Sequence, residues 1–205
     1  MLTLHFHSSQ IAYEMSTGPA ERTTLVDLFA GAGGNAIAFA LAECWTRIIA
    51  IEKDRDTLAC AQNNASIYGV ADRITWVHAD SFEYLALARD SPGSLHTSLH
   101  LDLETTVLFA SPPWGGPGYT TDQVFNLHNM EPYNLARLHL ACADMDHALF
   151  LPRSSDLRQI AELMPDGKKA EVVQYCVEGA SKALVAYVPA RDSTKPTFYY
   201  HSGDD

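Results

Sequence analysis

Thr24-Leu25-Val26-Asp27-Leu28-Phe29-Ala30-Gly31-Ala32-Gly33-Gly34-Asn35 is the stretch that decides the fold. The run from Thr24 to Phe29 is apolar apart from one acid and reads as a buried strand. Three glycines among residues 31–34 permit a tight turn into a helix from Asn35 to Glu43. Strand, glycine turn and helix in that order open a βαβ unit and hence a parallel sheet. Gly31-Ala32-Gly33-Gly34-Asn35-Ala36 also fits G-x-G-x-x-G/A, and Glu52 ends the next strand, where an acid that binds ribose hydroxyls is expected. NAD and S-adenosylmethionine both suit this geometry. So does a glycine turn needed only for close packing of strand on helix.

Outward from that unit the alternation continues. A second strand spans Arg47 to Ile51, a helix Asp54 to Tyr68 closed by Gly69, and a third strand Ile74 to Val77. Asp80-Ser81-Phe82-Glu83 has the spacing of a capping box and starts a helix to about Arg89. Ser91-Pro92-Gly93-Ser94 begins a polar surface loop to Glu104, the segment expected to be disordered. Strand Thr105 to Ala110, an irregular stretch Tyr119 to Tyr133, helix Asn134 to Ala143, strand His147 to Leu151 and helix Ser155 to Met164 follow. Strands Ala170 to Val177 and Lys182 to Val188, joined by Glu178-Gly179-Ala180-Ser181, form a hairpin. The expectation is an α/β, Rossmann-like single domain with a mostly parallel seven-stranded sheet, an antiparallel C-terminal hairpin edge and helices on both faces. Its core is about 24–188, with a short N-terminal segment, 1–23, and a polar, mobile tail, 189–205.

Composition narrows the chemistry. The 205 residues are 47% hydrophobic, enough for a full core, and carry a net charge of −11. Such acidity disfavours a long nucleic-acid duplex and favours a short or terminal piece gripped by a few cations and by stacking. Cys44, Cys60, Cys142 and Cys176 form no C-x-x-C pair and no spacing suited to zinc, so a reducing compartment and no metal are expected. No apolar run is long enough to span a bilayer, and Met1 to Gln10 lacks the order of a signal peptide, so a soluble intracellular protein is expected.

The end of the fourth strand discriminates between the cofactors. Ser111-Pro112-Pro113-Trp114-Gly115-Gly116-Pro117 puts a hydroxyl, two prolines and an indole where ligands bind in open parallel sheets. Two prolines fix φ and remove two backbone donors, which leaves the carbonyls before and between them free to accept from an amino group. Hydride transfer needs no such turn. Methylation of a base amine needs both an acceptor pocket and a stacking ring. The competing structural reading is a rigid loop leaving the sheet, with Trp114 as a core plug.

These segments together carry a specific resemblance. Val26-Asp27-Leu28-Phe29-Ala30-Gly31-Ala32-Gly33-Gly34-Asn35, Ala50-Ile51-Glu52, Gln62-Asn63-Asn64-Ala65 with Tyr68-Gly69-Val70-Ala71-Asp72, Ser111 to Pro117, and Phe150-Leu151-Pro152-Arg153 resemble the trimethylguanosine synthase family in order and spacing over about Leu25 to Tyr187. The resemblance implies a class I methyltransferase fold. It also implies S-adenosylmethionine-dependent methylation of the N2 amine of the 7-methylguanosine cap of small nuclear and nucleolar RNAs, in the nucleus. Asp27, Gly31, Gly33 and Asn35 would then surround the methionine part of the cofactor, Glu52 the ribose, and Asp80 with Ser81 the adenine. Trp114, beside Pro113, would stack on the cationic base, while Ser111 and the Pro112 carbonyl accept from N2. Arg153 and Lys182 are candidates for the triphosphate, with Tyr119 a further donor. Glu52 stands where the family usually has Asp, and 24 residues precede Leu25 where it carries a larger N-terminal module. A protein partner that completes the pocket is therefore a further expectation. The readings in competition are methylation of an internal base amine in RNA or DNA, and a module that binds methylated caps without turnover. His128, His139 and His147 read as surface or hydrogen-bonded histidines.

Overall fold

The computed structural model describes residues 2–115, 123–164, 168–177 and 179–191. β1 (Thr24–Asp27) is buried at all four positions, so it must be covered on both faces. It pairs in parallel with β2 (Arg47–Glu52) on one side and β4 (Thr106–Ala110) on the other, with Asp27 level with Ala50 and Phe109. β3 (Ile74–His78) continues beyond β2, and β5 (Asp146–Pro152) beyond β4, both in parallel. β7 (Ala180–Val188) then runs antiparallel to both β5 and β6 (Glu171–Val177), giving the order β3-β2-β1-β4-β5-β7-β6. The direction of sequence progress reverses between β1 and β4, which opens a crevice at their carboxyl ends.

Two cores sandwich this sheet. α1 (Leu2–Ser16), α2 (Gly34–Leu41) and α3 (Arg55–Ile67) cover one face, and α4 (Ser81–Asp90), α5 (Leu135–Cys142) and α6 (Leu157–Ala161) the other. Local chemistry fixes where several helices start. Asp54, Asp80, Asn134 and Asp156 each accept a backbone N–H of the first turn with their side chains. The cap at Asp156 also explains why α6 begins at Leu157, two residues later than the pattern suggests.

Three expectations need correction. The segment before β1 contains the helix α1, whose Ile11, Ala12 and Met15 are fully buried in the core above α2. Its Glu14 carboxylate accepts the hydroxyls of Tyr175 and Tyr187 from β6 and β7, the latter at 3.2 Å, which staples the helix to the antiparallel edge. The polar loop 91–104 is built rather than disordered. Leu95, Leu99 and Leu101 pack on the core, Tyr84 donates to Leu99 O at 2.9 Å, and the Arg47 guanidinium donates to Ser98 O and His100 O. His147 is neither a surface nor a fully bonded histidine. It is completely buried in β5, Nδ1 donates to Met145 O at 2.9 Å, and Nε2 has no partner among the described residues. Burial holds it neutral, with a pKa pushed down to about 4.

One buried ion pair ties the approach to β1 to the start of β5. The Arg22 guanidinium bonds one oxygen of Asp146, and the other oxygen accepts Ala190 N at 2.7 Å. Removal of one partner strands the other charge in the interior. Asp146→Ala should therefore lower unfolding stability by about 3–5 kcal/mol in urea titrations, whereas Asp90→Ala, at an exposed pair, should change it by less than about 1 kcal/mol.

Candidate active site

The residues just past β1 have left the ladder, so their backbone groups need other partners. Leu28 N donates to Phe109 O and Ala30 N to Ile51 O, both at 2.9 Å, which keeps the chain tethered to β4 and β2. Phe29 N donates to an Asp27 carboxylate oxygen at 3.3 Å. The Ser81 hydroxyl donates to Leu28 O, the Ser111 hydroxyl to Phe29 O at 3.3 Å, and Gly33 N to Ala30 O at 2.8 Å. All six polar groups of Leu28 to Ala30 are thereby satisfied. This spends the hydroxyl protons of Ser81 and Ser111 on the fold and leaves the lone pairs of Ser111 as acceptors.

The glycine loop follows. Gly31 has φ +53° and nothing within 4 Å of where a Cβ would stand, so its open side faces the crevice. Gly33 has φ +88° and a Cβ there would meet Ala61 Cβ at 3.1 Å and Trp76 Cη2 at 3.2 Å. Gly33 thus serves both conformation and the packing of α2 on α3, while Gly31 leaves room for a ligand. Glu52 braces the loop: one oxygen accepts Gly31 N at 2.9 Å, the other Asp54 N at 2.8 Å. Asn64 of α3 adds a bond from its amide to Ala32 O at 2.9 Å.

A crevice of about 380 Å³ lies at these strand ends. It is lined by Gly31, Glu52, Asp80, Ser81, Ser111, Pro112 and Pro113 from the expected set, together with Leu28, Phe29, Ile51, Lys53 and Tyr133. Asp27 is fully buried beneath the loop, and its second carboxylate oxygen has no partner among the described residues. Burial pushes its pKa up to about 7, opposed by the backbone N–H groups of Phe29 and Ala36 and reinforced by the charge of Glu52. Asp80 caps α4 through one oxygen and offers the other toward Tyr133 OH at 3.5 Å.

Trp114 does not line this crevice. It is half-buried at its side, stacked on Phe150 with ring centroids 5.5 Å apart, and its indole N–H donates to Phe150 O at 3.2 Å. Arg153 follows the last residue of β5, and Pro152 pairs with Ala183, so Arg153 and Lys182 are exposed neighbours across the β5–β7 edge. Asn35 lies on the first turn of α2. Tyr119 falls outside the described residues. Sequence reasoning missed the opposite wall. Tyr133 packs between Phe29 and Phe82, Lys53 Nζ donates to its hydroxyl at 3.3 Å, and the Arg137 guanidinium lies 4.5 Å from the Phe82 ring centre. The signals were present, an aromatic and a base after the acid of β2 and in the irregular stretch, but only the fold joins them. Among the described residues no group of three or more His, Cys, Asp or Glu could hold a metal ion, and no helix is long and apolar enough to cross a membrane.

The strand order and the crevice at the ends of β1, β2 and β4 are those of the class I methyltransferase fold. An RNA methyltransferase from Salinibacter ruber, solved with S-adenosyl-L-homocysteine, has the same fold with a TM-score of 0.52 at 17% identity over 97% of each chain. Human methyltransferase 10 domain containing protein gives 0.57 at 13% identity, over 94% of this chain and 83% of that one. More specifically, the chain belongs to the RNA cap guanine-N2 methyltransferase family, whose profile matches residues 22–191. It is 31% identical over 169 residues to the trimethylguanosine synthase of Schizosaccharomyces pombe, covering 80% of this chain and 64% of that protein. Against the Saccharomyces cerevisiae trimethylguanosine synthase it is 30% identical over 145 residues, 69% and 42% of the two chains. It thus spans less than two thirds of either relative.

The two glycines should separate in a mutational test. Gly33→Ala combines left-handed strain with a clash and should cost more than about 2 kcal/mol of stability in thermal or urea unfolding. Gly31→Ala should cost only about 1 kcal/mol and act chiefly on ligand affinity. Asp27 makes a pH prediction. The folded state keeps its proton between the ordinary carboxylate pKa and about 7, while the unfolded state has lost it, so this group's contribution to stability falls as pH rises through that window. Asp27→Asn, which mimics the protonated form, should match wild type near pH 4 and be more stable by about 2–4 kcal/mol at pH 8 in urea titrations.

Proposed function

We propose that this chain transfers a methyl group from S-adenosylmethionine to the N2 amine of a 7-methylguanosine cap, giving 2,2,7-trimethylguanosine on small nuclear and nucleolar RNAs in the nucleus. The observation that carries this reading is the convergence of Gly31, Glu52 and Asp80 with Ser111-Pro112-Pro113 on one crevice.

The residues fit the cofactor on their own terms. The volume falls within the range of about 300–1,000 Å³ usual for ligand sites. The loop is open at Gly31. Three carboxylates, Asp27, Glu52 and Asp80, suit a cationic ligand, and the unpartnered oxygen of buried Asp27 in particular gains from a nearby positive charge. Asp27 and Gly31 to Asn35 would hold the methionine part, Glu52 the ribose hydroxyls through its remaining lone pairs, and Asp80 with Ser81 the adenine, closed off by Tyr133. When bound, S-adenosylmethionine supplies a methyl group on a positively charged sulfur that leaves readily.

The acceptor side then has little covalent work to do. The Ser111 hydroxyl points its proton at Phe29 O, and no hydrogen bond among the described residues takes up the Ser111 or Pro112 carbonyl. Ser111 Oγ and the Pro112 carbonyl can therefore both accept from N2, orient its lone pair and leave no donor that would compete for it. Trp114, its plane fixed by Phe150 and beside Pro113, would stack on the cationic 7-methylguanine. Arg153 and Lys182 would meet the phosphates, with Tyr119 as a further donor. The net charge of −11 agrees with a cap held locally rather than a long duplex. A protein partner that covers the crevice belongs to the same proposal.

Purified chain with labelled cofactor should methylate a 7-methylguanosine cap analogue and not unmethylated GpppG, with mass spectrometry counting the methyl groups added. Trp114→Ala should lower kcat/KM for the cap by about 30-fold or more, the loss of a desolvated cation–π contact. Equal rates on both analogues would overturn cap specificity, and cap binding without product would favour a recognition module instead.

A further inference from the structure

The helix α1 precedes residues 22–191 that match the family, yet it reaches the glycine-loop unit directly. Its Ser8 is buried, and a buried hydroxyl needs a partner. A serine inside a helix commonly faces solvent or bonds back to the carbonyl of its own preceding turn. Ser8 instead donates across the interface to Asn35 Oδ1 at 2.8 Å, on the first turn of α2, and its oxygen stands 3.9 Å from where a Cβ on Gly34 would be. The Asn35 amide is planar, so fixing Oδ1 fixes the direction of its two N–H donors, and those donors have no partner among the described residues. α1 itself is held in place by the burial of Ile11, Ala12 and Met15 and by the two tyrosine hydroxyls on Glu14.

We infer that Ser8 is a positioning residue of the cofactor site: α1 sets the Asn35 amide so that its N–H donors meet the carboxylate of the cofactor's amino-acid end. The inference rests on the proposed S-adenosylmethionine site and adds to it an element outside the family's matched segment. It has a chemical signature that a general packing role lacks, because only ligands with the amino-acid carboxylate can sense it.

The test uses the 205-residue chain and two probes, S-adenosylhomocysteine and 5′-methylthioadenosine, which has no amino-acid carboxylate. By calorimetry, Ser8→Ala should bind S-adenosylhomocysteine about 5-fold more weakly, the loss of one neutral hydrogen bond. It should bind 5′-methylthioadenosine as wild type does, and Ser8→Thr should restore the affinity. A thermal midpoint matched to wild type confirms that α1 remains docked. Unchanged affinity for S-adenosylhomocysteine, or an equal loss for both probes, would overturn the inference while leaving the functional reading intact. Failure of the wild-type chain to bind S-adenosylhomocysteine would overturn both.

Discussion

Three residues, Leu28 to Ala30, carry the transition from sheet to site, and their six backbone groups are all paired outside the regular ladder. A chain that leaves a fully buried strand must satisfy its polar groups or pay a desolvation cost at each. Here the partners come from β2, β4, the Asp27 side chain, Gly33 of the glycine loop, the first residue of α4 and the first residue after β4. Satisfying one short segment therefore ties β1, β2, β4, α4 and the turn after β4 together at the crevice. The glycine turn can then adopt its left-handed conformations on a rigid base, with Gly31 left open.

The same edge divides into two chemical halves. On one side are carboxylates, the aromatic wall of Phe29, Phe82 and Tyr133, and two cations, Lys53 and Arg137, that pack on its rings. On the other are acceptors without competing donors, Ser111 and Pro112, flanked by the Trp114–Phe150 stack and the exposed pair Arg153 and Lys182. A cationic methyl donor suits the first half and a flat, amine-bearing, phosphate-linked base the second. α1 reaches the glycine-loop unit through the Ser8–Asn35 bond, while its Glu14 is tied to the tyrosines of the far antiparallel edge.

Much of this was legible in the chain itself. The seven strands, their order of appearance and the cap at Asp80 follow from periodicity and short-range chemistry, which the fold preserves. Of the residues the sequence marks as a site, Gly31, Glu52, Asp80, Ser81 and Ser111 to Pro113 line one crevice, while Asp27, Gly33 and Asn35 do not line it. What escaped depends on long-range assembly. The stripe Ile11, Ala12 and Met15 has helical spacing, but only the α2 surface and the tyrosines of β6 and β7 give it a place to dock. The loop 91–104 has a polar composition, and its order comes from leucines without a regular period and from Arg47, about fifty residues earlier in the chain. Tyr133 and Lys53 lie eighty residues apart and meet only across the crevice.

The central claim is that a single strand-end crevice holds cofactor and cap base side by side. A crystal structure of the chain with S-adenosylhomocysteine and a 7-methylguanosine cap analogue tests it most directly. The account predicts adenosine between Glu52, Asp80 and Tyr133, the amino-acid end over Gly31 to Asn35, and the base N2 within hydrogen-bond distance of Ser111 Oγ and the Pro112 carbonyl. A cap bound elsewhere on the surface, or a base whose N2 points away from Ser111, would contradict it.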